Sequence, residues 1–376
     1  MKILAVCHYG LYEELSSSFV HNLIREYASL GHQVVCLVPV PLGKADRNGQ
    51  KTSLFLPEFT QDGVKIRDFR YLSLSGRGRK GFNHKSAIAA LQANRQHLLG
   101  DFRPDVIHAH TLGFDSEIGA WLKTRFRCPL VVTTHGSDTA RPMAHGESGW
   151  LKACCDKADH ITAVGNPLRD LLKTCGTTVP VTTIHNGFIP RTPEQEEKDP
   201  FSIIQVGHLI ESKRFDTTIR ALAALKDTYP KLHLTIVGAG HLRQHLEELC
   251  RELDVADRVC FTGPIPNGEV FSRMCRSRFF VMVSKPEGFG IVYLEAMAAG
   301  CLTVGTIDQG IADILIHGEN GYLVEAGDWE ALAQILDRAL QNPDITQSVA
   351  AAGQALARTM TWEHAAKQYL SLFETL

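Results

Sequence analysis

The sequence predicts an α/β protein made of two doubly wound, parallel-sheet domains, and three observations predict it. The chain has 376 residues, more than one hydrophobic core usually supports. Short apolar runs alternate with amphipathic helical runs along its length, the pattern of parallel sheets with helices on both faces. Residues 189–200 break that alternation with charged side chains and three prolines, as a linker does.

The elements follow in order. Ile3 to Cys7 reads as the first strand. Ser17 to Leu30 reads as a helix closed by Gly31-His32, and Gln33 to Val38 as the second strand. Later strands are expected at Val106 to His108, Leu130 to Thr134, His160 to Val164 and Val181 to Ile184. Beyond the break a second set runs through Phe201 to Val206, Leu232 to Val237, Val259 to Phe261, Phe279 to Val283 and Leu302 to Gly305. Asp328 to Leu340 and Ile345 to Ala357 read as helices, and a last one starts near Trp362. The domains are therefore expected at 1–188 and 201–358. Two such sheets leave a cleft, and ligands are expected just outside the carboxyl ends of strands.

Composition narrows the class. Hydrophobic content of 44% and charged content of 21% are ordinary for a soluble globular chain. A net charge of −2 supplies no general attraction to nucleic acid. The 10 cysteines form no C-x-x-C pair, which fits reduced thiols in a cytosolic protein. The opening apolar run is too short for a signal peptide, and no run approaches the ~20 apolar residues that cross a bilayer. The expected location is cytoplasmic, with peripheral contact at the inner face of a membrane left open.

The most informative stretch is Lys285 to Gly300. A strand-like run ends, Glu287-Gly288-Phe289-Gly290 turns, and Ile291 to Ala299 reads as a helix carrying Glu295. Glycines let backbone amides approach a ligand, and a helix N-terminus favours phosphate. The two glutamates accept hydrogen bonds from nearby hydroxyls. A lone G-x-G is a weak signal, but turn, carboxylates and small-residue helix together describe a nucleotide-sugar site. Lys213 or Arg214, after the first strand of the second domain, is placed to neutralise a departing diphosphate.

Other groups fall after strands too. His135 and Asp138 follow Leu130 to Thr134 and are expected to face the cleft, Asp138 on the acceptor side. Gly10, Tyr12, Glu14 and Ser17 follow the first strand, where Tyr12, Glu14 and Ser17 suit an acceptor pocket; a serine there also caps the helix. His108 and His110 alone make a zinc site conceivable, without the clustered Cys or acidic ligands such a site uses. No Asp-x-Asp pair occurs, so no divalent cofactor is expected. The cations from Arg67 to Lys85, with Gly76, Gly78 and Gly81 between, read as a basic loop. It suits anionic lipid headgroups, an acceptor's phosphate, or plain solvent.

The pattern resembles the retaining nucleotide-sugar glycosyltransferases of family four, with the two-domain fold called GT-B. Glu287 to Gly290 through Glu295 to Gly300 resembles the family's paired-glutamate motif, seven residues lying between the two carboxylates. Thr134-His135-Gly136-Ser137-Asp138 resembles its histidine-glycine-x-aspartate segment, and Asn186-Gly187 the turn ending its first domain. Val237 to Gly240 and Val259 to Gly263 resemble its nucleotide-side loops. Trp362-Glu363 resembles the start of a terminal helix, 362–376, that packs back on the first domain.

The resemblance implies roles. Glu295 binds the ribose hydroxyls. Glu287 and the backbone of Gly288, Phe289 and Gly290 hold donor sugar and phosphate. Lys213 contacts the diphosphate, His135 the transferred sugar, and Gly263 and Pro264 lie near the base. His208 stands where the family usually has arginine, a residue that is always charged and bidentate. Arg214, where the family commonly has glycine, is the expected compensation. The implied function is retaining transfer from a UDP- or GDP-sugar to a glycan or lipid-linked acceptor in polysaccharide synthesis. The alternatives are a nucleotide-sugar-binding or regulatory protein with little transfer activity and, last, an epimerase or phosphorylase.

Overall fold

The structure, a computed structural model, describes residues 1–8, 18–44, 59–74, 80–193 and 197–376. It divides into two units, Met1–Gly187 with Trp362–Leu376, and Phe188–Thr361.

The first unit begins with β1 (Lys2–Val6), α1 (Ser18–Ser29), β2 (Gln33–Pro41), β3 (Phe59–Gln61) and β4 (Val64–Tyr71). It continues through α2 (Lys80–Leu99), β5 (Val106–Ala109), α3 (Phe114–Phe126), β6 (Leu130–Thr134) and α4 (Ser137–Ala144). It closes with α5 (Ser148–Cys155), β7 (His160–Ala163), α6 (Asn166–Thr174) and β8 (Val181–Thr183). The strand order is β3-β4-β2-β1-β5-β6-β7-β8, and β3 alone is antiparallel to its neighbour. β1 lies inside the sheet, and Ile3 to Val6 are all 0% exposed. That burial on both faces is why it reads as an unbroken apolar run.

β3 and β4 were not among the expected strands. They form a hairpin around Asp62-Gly63, both with positive φ (49° and 78°), the two-residue turn that Asp-Gly favours. The basic stretch read as a loop is therefore partly strand and partly helix. Arg67 and Arg70 lie on β4, and Lys80 opens α2. Arg70 is 6% exposed and donates to the carbonyls of Pro41 and Lys44, so it offers nothing to a membrane. Arg77 and Arg79 lie outside the described residues.

The second unit runs β9 (Asp199–Val206), a 3₁₀ turn (Glu211–Lys213), α7 (Phe215–Leu225), β10 (His233–Val237), α8 (Arg243–Glu252) and β11 (Val259–Gly263). It continues with α9 (Asn267–Arg276), β12 (Ser277–Val281), α10 (Ile291–Ala298), β13 (Leu302–Thr306), β14 (Tyr322–Val324), α11 (Trp329–Gln341) and α12 (Pro343–Thr359). Its sheet is parallel throughout, in the order β11-β10-β9-β12-β13-β14. The order reverses between β9 and β12, so the switch point lies outside their carboxyl ends, where such sheets take ligands.

A last helix, α13 (Trp362–Glu374), belongs to the first unit. Its buried Tyr369 hydroxyl lies 3.2 Å from Thr133 Oγ1 and 3.4 Å from Thr162 Oγ1. The chain's two crossings are paired, since Phe188 N donates to Met360 O at 3.1 Å. The expected linker belongs wholly to the second unit. Asp199 and Pro200 already lie in β9, and Lys198 Nζ donates to three carbonyls at the end of α9, those of Met274, Cys275 and Ser277, at 3.1, 2.9 and 2.9 Å.

Candidate functional site

A cavity of 240 Å³ opens at the β9–β12 switch point of the second unit. Val206, Gly207, His208 and Lys213 reach it from the end of β9, and Met282, Val292 and Glu295 from the end of β12 and from α10. Asn267, Val270, Phe271 and Met274 of α9 form the remaining wall. A larger cavity, 520 Å³, lies in the first unit beside Gln33, Gly63 and Gly100. That is the amino-terminal edge of its sheet, the wrong end for the ligand of a doubly wound domain.

Local backbone geometry makes the smaller cavity. Gly207, Gly238 and Gly263 end three neighbouring strands, and Gly207 N bonds Val237 O while Gly238 N bonds Gly263 O, each at 3.0 Å. The turn after β12 is pinned from behind: Glu287 N donates to Gln309 Oε1 at 2.7 Å. A Cβ at Gly310 would sit 2.0 Å from the Gly288 carbonyl, so only glycine lets these segments meet. Gly290 opens α10 with φ 80°, and a Cβ there would strike the Tyr293 ring at 2.7 Å.

The charges are few and specific. Lys213 Nζ forms an ion pair with the Glu287 carboxylate, which also accepts from Ser284 Oγ at 3.2 Å. Glu295 is half-buried, and loss of water around its carboxyl pushes it above the usual range, while the positive charge of Arg191 works against that shift. A cation and the amino end of α10 thus stand near an acidic acceptor, beside the Phe271 ring. The set suits a ligand with an anionic group, vicinal hydroxyls and a flat face.

The expected residues separate on this geometry. His208, Lys213 and Glu295 line the cavity together, and Glu287 joins through Lys213. The Phe289 side chain is 1% exposed, so only its backbone is left for a ligand. Gly288 and Gly290 bracket the entry to α10, and Gly263 and Pro264 lie at the same carboxyl edge without lining the cavity. Arg214 is not brought there either. It is exposed, stands between the 3₁₀ turn and α7, and holds a φ of 51°. That backbone region favours the glycine the family commonly places here. Arg214→Gly is expected to raise stability by up to about 1 kcal/mol and to leave nucleotide affinity unchanged; a fall in UDP affinity by calorimetry would restore Arg214 to the site.

In the first unit, Asp138 is occupied by its own chain. Its carboxylate accepts from Thr134 Oγ1 (2.8 Å), Gly136 N (3.0 Å), His135 N (3.1 Å) and Leu112 N (2.9 Å), so it shapes the loop instead of offering an open acceptor-side carboxylate. Both ring nitrogens of His135 are buried. Its ring stacks on His110 (5.8 Å between centroids), and His110 lies 4.1 Å from His108. Burial lowers the His135 pKa to about 3, so the imidazole is neutral near pH 7. The expected sugar-facing histidine is half-buried, with its ring nitrogens turned inward. His108 bonds Thr133 Oγ1 at 2.7 Å and Tyr27 at 3.3 Å, and among the described residues no three His, Cys, Asp or Glu side chains are arranged to hold a metal. Gly10, Tyr12, Glu14 and Ser17 lie outside the described residues.

Sequence reasoning missed one pair. His8, just past β1, donates its backbone N–H to Asp115 Oδ1 at 3.0 Å, and its Nδ1 lies 2.9 Å from Asp115 Oδ2. Thr111 Oγ1 donates to the same carboxylate at 2.8 Å. Burial works to lower the His8 pKa, but the charge and hydrogen bond of Asp115 outweigh it, and the pKa is raised.

Two family models match the chain. Glycosyltransferase Family 4 covers residues 16–191, and Glycosyl transferases group 1 covers residues 189–356. A glycogen synthase of Mycobacterium tuberculosis is 27% identical over 372 residues, covering 92% of this chain and 87% of that protein. An N-acetyl-alpha-D-glucosaminyl L-malate synthase of Bacillus anthracis is 25% identical over 72% of this chain and 74% of its own length. Among solved structures, Anabaena HepE in complex with UDP and glucose has a TM-score of 0.76 at 20% identity, with 100% of both chains covered. Sucrose-phosphate synthase from Thermosynechococcus elongatus has a TM-score of 0.79 at 20% identity, covering 100% of this chain and 98% of that one.

Proposed function

The chain belongs to the glycosyltransferases of family 4 and group 1, and from that premise we propose that it moves a sugar, with retention, from a UDP- or GDP-sugar to a hydroxyl of a glycan or lipid-linked acceptor in cell-envelope polysaccharide or glycoconjugate synthesis. One observation carries the donor side: a cation, a half-buried carboxylate and a helix N-terminus converge on the cavity at the β9–β12 switch point. Among the described residues no helix is long and apolar enough to cross a membrane, so a lipid-linked acceptor would be met from the surface.

The chemistry follows from where charge appears. As the anomeric C–O bond stretches, negative charge grows on the diphosphate and positive charge on the sugar. Lys213 and the first amides of α10 stabilise the departing phosphate. A diphosphate is a good leaving group without a protonated carboxyl, so Glu287 and Glu295 need not act as a glycosidase-type acid and base. The leaving phosphate oxygen takes the acceptor's proton on the face it vacates, and the new C–O bond forms there. In this reading the protein's own cation replaces a divalent ion. Crystal structures of HepE with UDP and with UDP-glucose support placing UDP first among the probes.

A thermal-shift panel of UDP- and GDP-sugars tests the donor. A ligand at one hundred times its dissociation constant adds about 2.7 kcal/mol of stability, and Glu295→Ala should abolish most of that shift. A panel in which no nucleotide raises the melting temperature sinks the donor assignment. Turnover lost on chelation and restored by magnesium sinks its metal-free part.

A further inference from the structure

Arg191 lies in the polar segment that opens the second unit, four residues past Gly187. The segment could have been a bare tether. Instead its arginine is docked: Nη1 donates to Asn267 O at 3.0 Å, and the guanidinium carbon stands 5.7 Å from the centroid of the Phe271 ring. Asn267 and Phe271 are both cavity-lining residues of α9, and Glu295 faces them from α10. One side chain therefore ties the amino end of α9 to the aromatic wall of the cavity and sets a positive charge near its half-buried carboxylate.

We propose that Arg191 is a positioning residue of the donor site, holding the Asn267–Phe271 wall in place and setting a positive charge at the cavity beside Glu295, the acceptor for the hydroxyl pair of a nucleoside diphosphate. The inference rests on the donor site described above and names a residue that the glycine-rich motif does not contain. A carboxylate accepts two hydroxyl hydrogens, whereas a protonated carboxyl spends one oxygen as a donor. Burial drives Glu295 toward that weaker form, and Arg191 is the charge that opposes it. Other charges near Glu295 are accounted for. Lys213 is paired with Glu287, His208 is exposed on the cavity rim, and Glu269 and Arg273 of α9 bond each other at 2.8 Å. α12, packed on α10, sends neutral Gln354 to the Ala298 carbonyl at 2.8 Å.

Calorimetry with UDP and with GDP, from pH 5 to 8, tests it on the full chain. Arg191→Ala should weaken binding about tenfold at pH 7 and move the acid limb of the affinity profile to higher pH. Arg191→Lys, which keeps the charge and loses the planar stacking, should restore the pH profile and part of the affinity. Glu295→Gln should weaken binding and leave only the acid limb that the nucleotide's own terminal phosphate gives, with its second ionisation at about pH 6. If Glu295→Gln weakens binding while Arg191→Ala matches wild type at every pH, the role of Arg191 is overturned and the donor site stands. If the wild-type chain binds neither nucleotide, the donor site itself falls, and this inference with it.

Discussion

Lys213→Ala should lower turnover by about 10²–10³, the scale of losing one preorganised donor to a developing anion, with a smaller effect on acceptor affinity. The geometry makes the loss twofold. Lys213 lines the cavity and also neutralises Glu287, whose carboxylate is only 14% exposed. Removing the amine deletes the cation that meets the phosphate and leaves an unpaired anion beside it, a costly group to strand away from water. The double variant Lys213→Ala/Glu287→Gln should therefore recover part of the activity, because the repulsion goes while the missing cation does not return. Initial rates with a UDP-sugar, measured as UDP release, decide it. Wild-type rates in Lys213→Ala at sub-saturating donor defeat the assignment. A double variant no better than the single one means that the pair does not act as a unit.

The donor half was legible because its signals are local. A strand, a glycine turn and a helix with two spaced carboxylates occupy one continuous stretch, and the switch point follows from strand order once the alternation is read. The strands predicted at Leu130 to Thr134 and Gln33 onward were runs buried on both faces, which carry the clearest signal. What was missed is instructive. The β3–β4 hairpin has its signal in Asp62-Gly63, but the glycines at 76, 78 and 81 make the whole basic stretch from Arg67 to Lys85 read as a loop. In fact Val64 and Ile66 are buried while Lys65 between them is exposed, the period-two pattern of a strand. Arg214 looked like a spare cation, and no side-chain pattern reveals a positive φ. His8 and Asp115 are 107 positions apart, so only the fold brings them together. Arg191 was hidden by its setting, since a proline-rich polar stretch looks like a tether whether or not one of its residues docks.

The first unit should be acid-labile well before its carboxylates titrate. Burial lowers the pKa of His108 and His135 to about 3 and of His110 well below its ordinary value, and like charge within the cluster adds to the lowering of His108 and His110. In the unfolded chain each takes a proton near pH 6.5. Between those values the unfolded state binds more protons, so stability is fully present above pH 6.5 and drains away as pH falls toward 3. At pH 5 each imidazole costs about 2 kcal/mol, and the three together about 6, comparable with the net stability of a typical domain. His8 pulls the other way: its raised pKa makes its ion pair with Asp115 favourable below pH 6.5 and weaker as pH rises through the folded value. The raised pKa of buried Asp138 acts in the same sense, whereas burial lowers the pKa of His32 and of His160, which therefore act with the cluster. Three of the four tryptophans, Trp121, Trp150 and Trp362, belong to this unit, so fluorescence melts report on it. The melting temperature should fall steeply between pH 6.5 and pH 5. His110→Leu should fold at neutral pH and reduce that fall by about 2 kcal/mol at pH 5, because it removes one titrating group whose ring nitrogens have no hydrogen-bond partner among the described residues. An acid limb unchanged in His110→Leu, or one that begins only below pH 4.5, would place the lability in carboxylates and leave the histidine stack with no part in it.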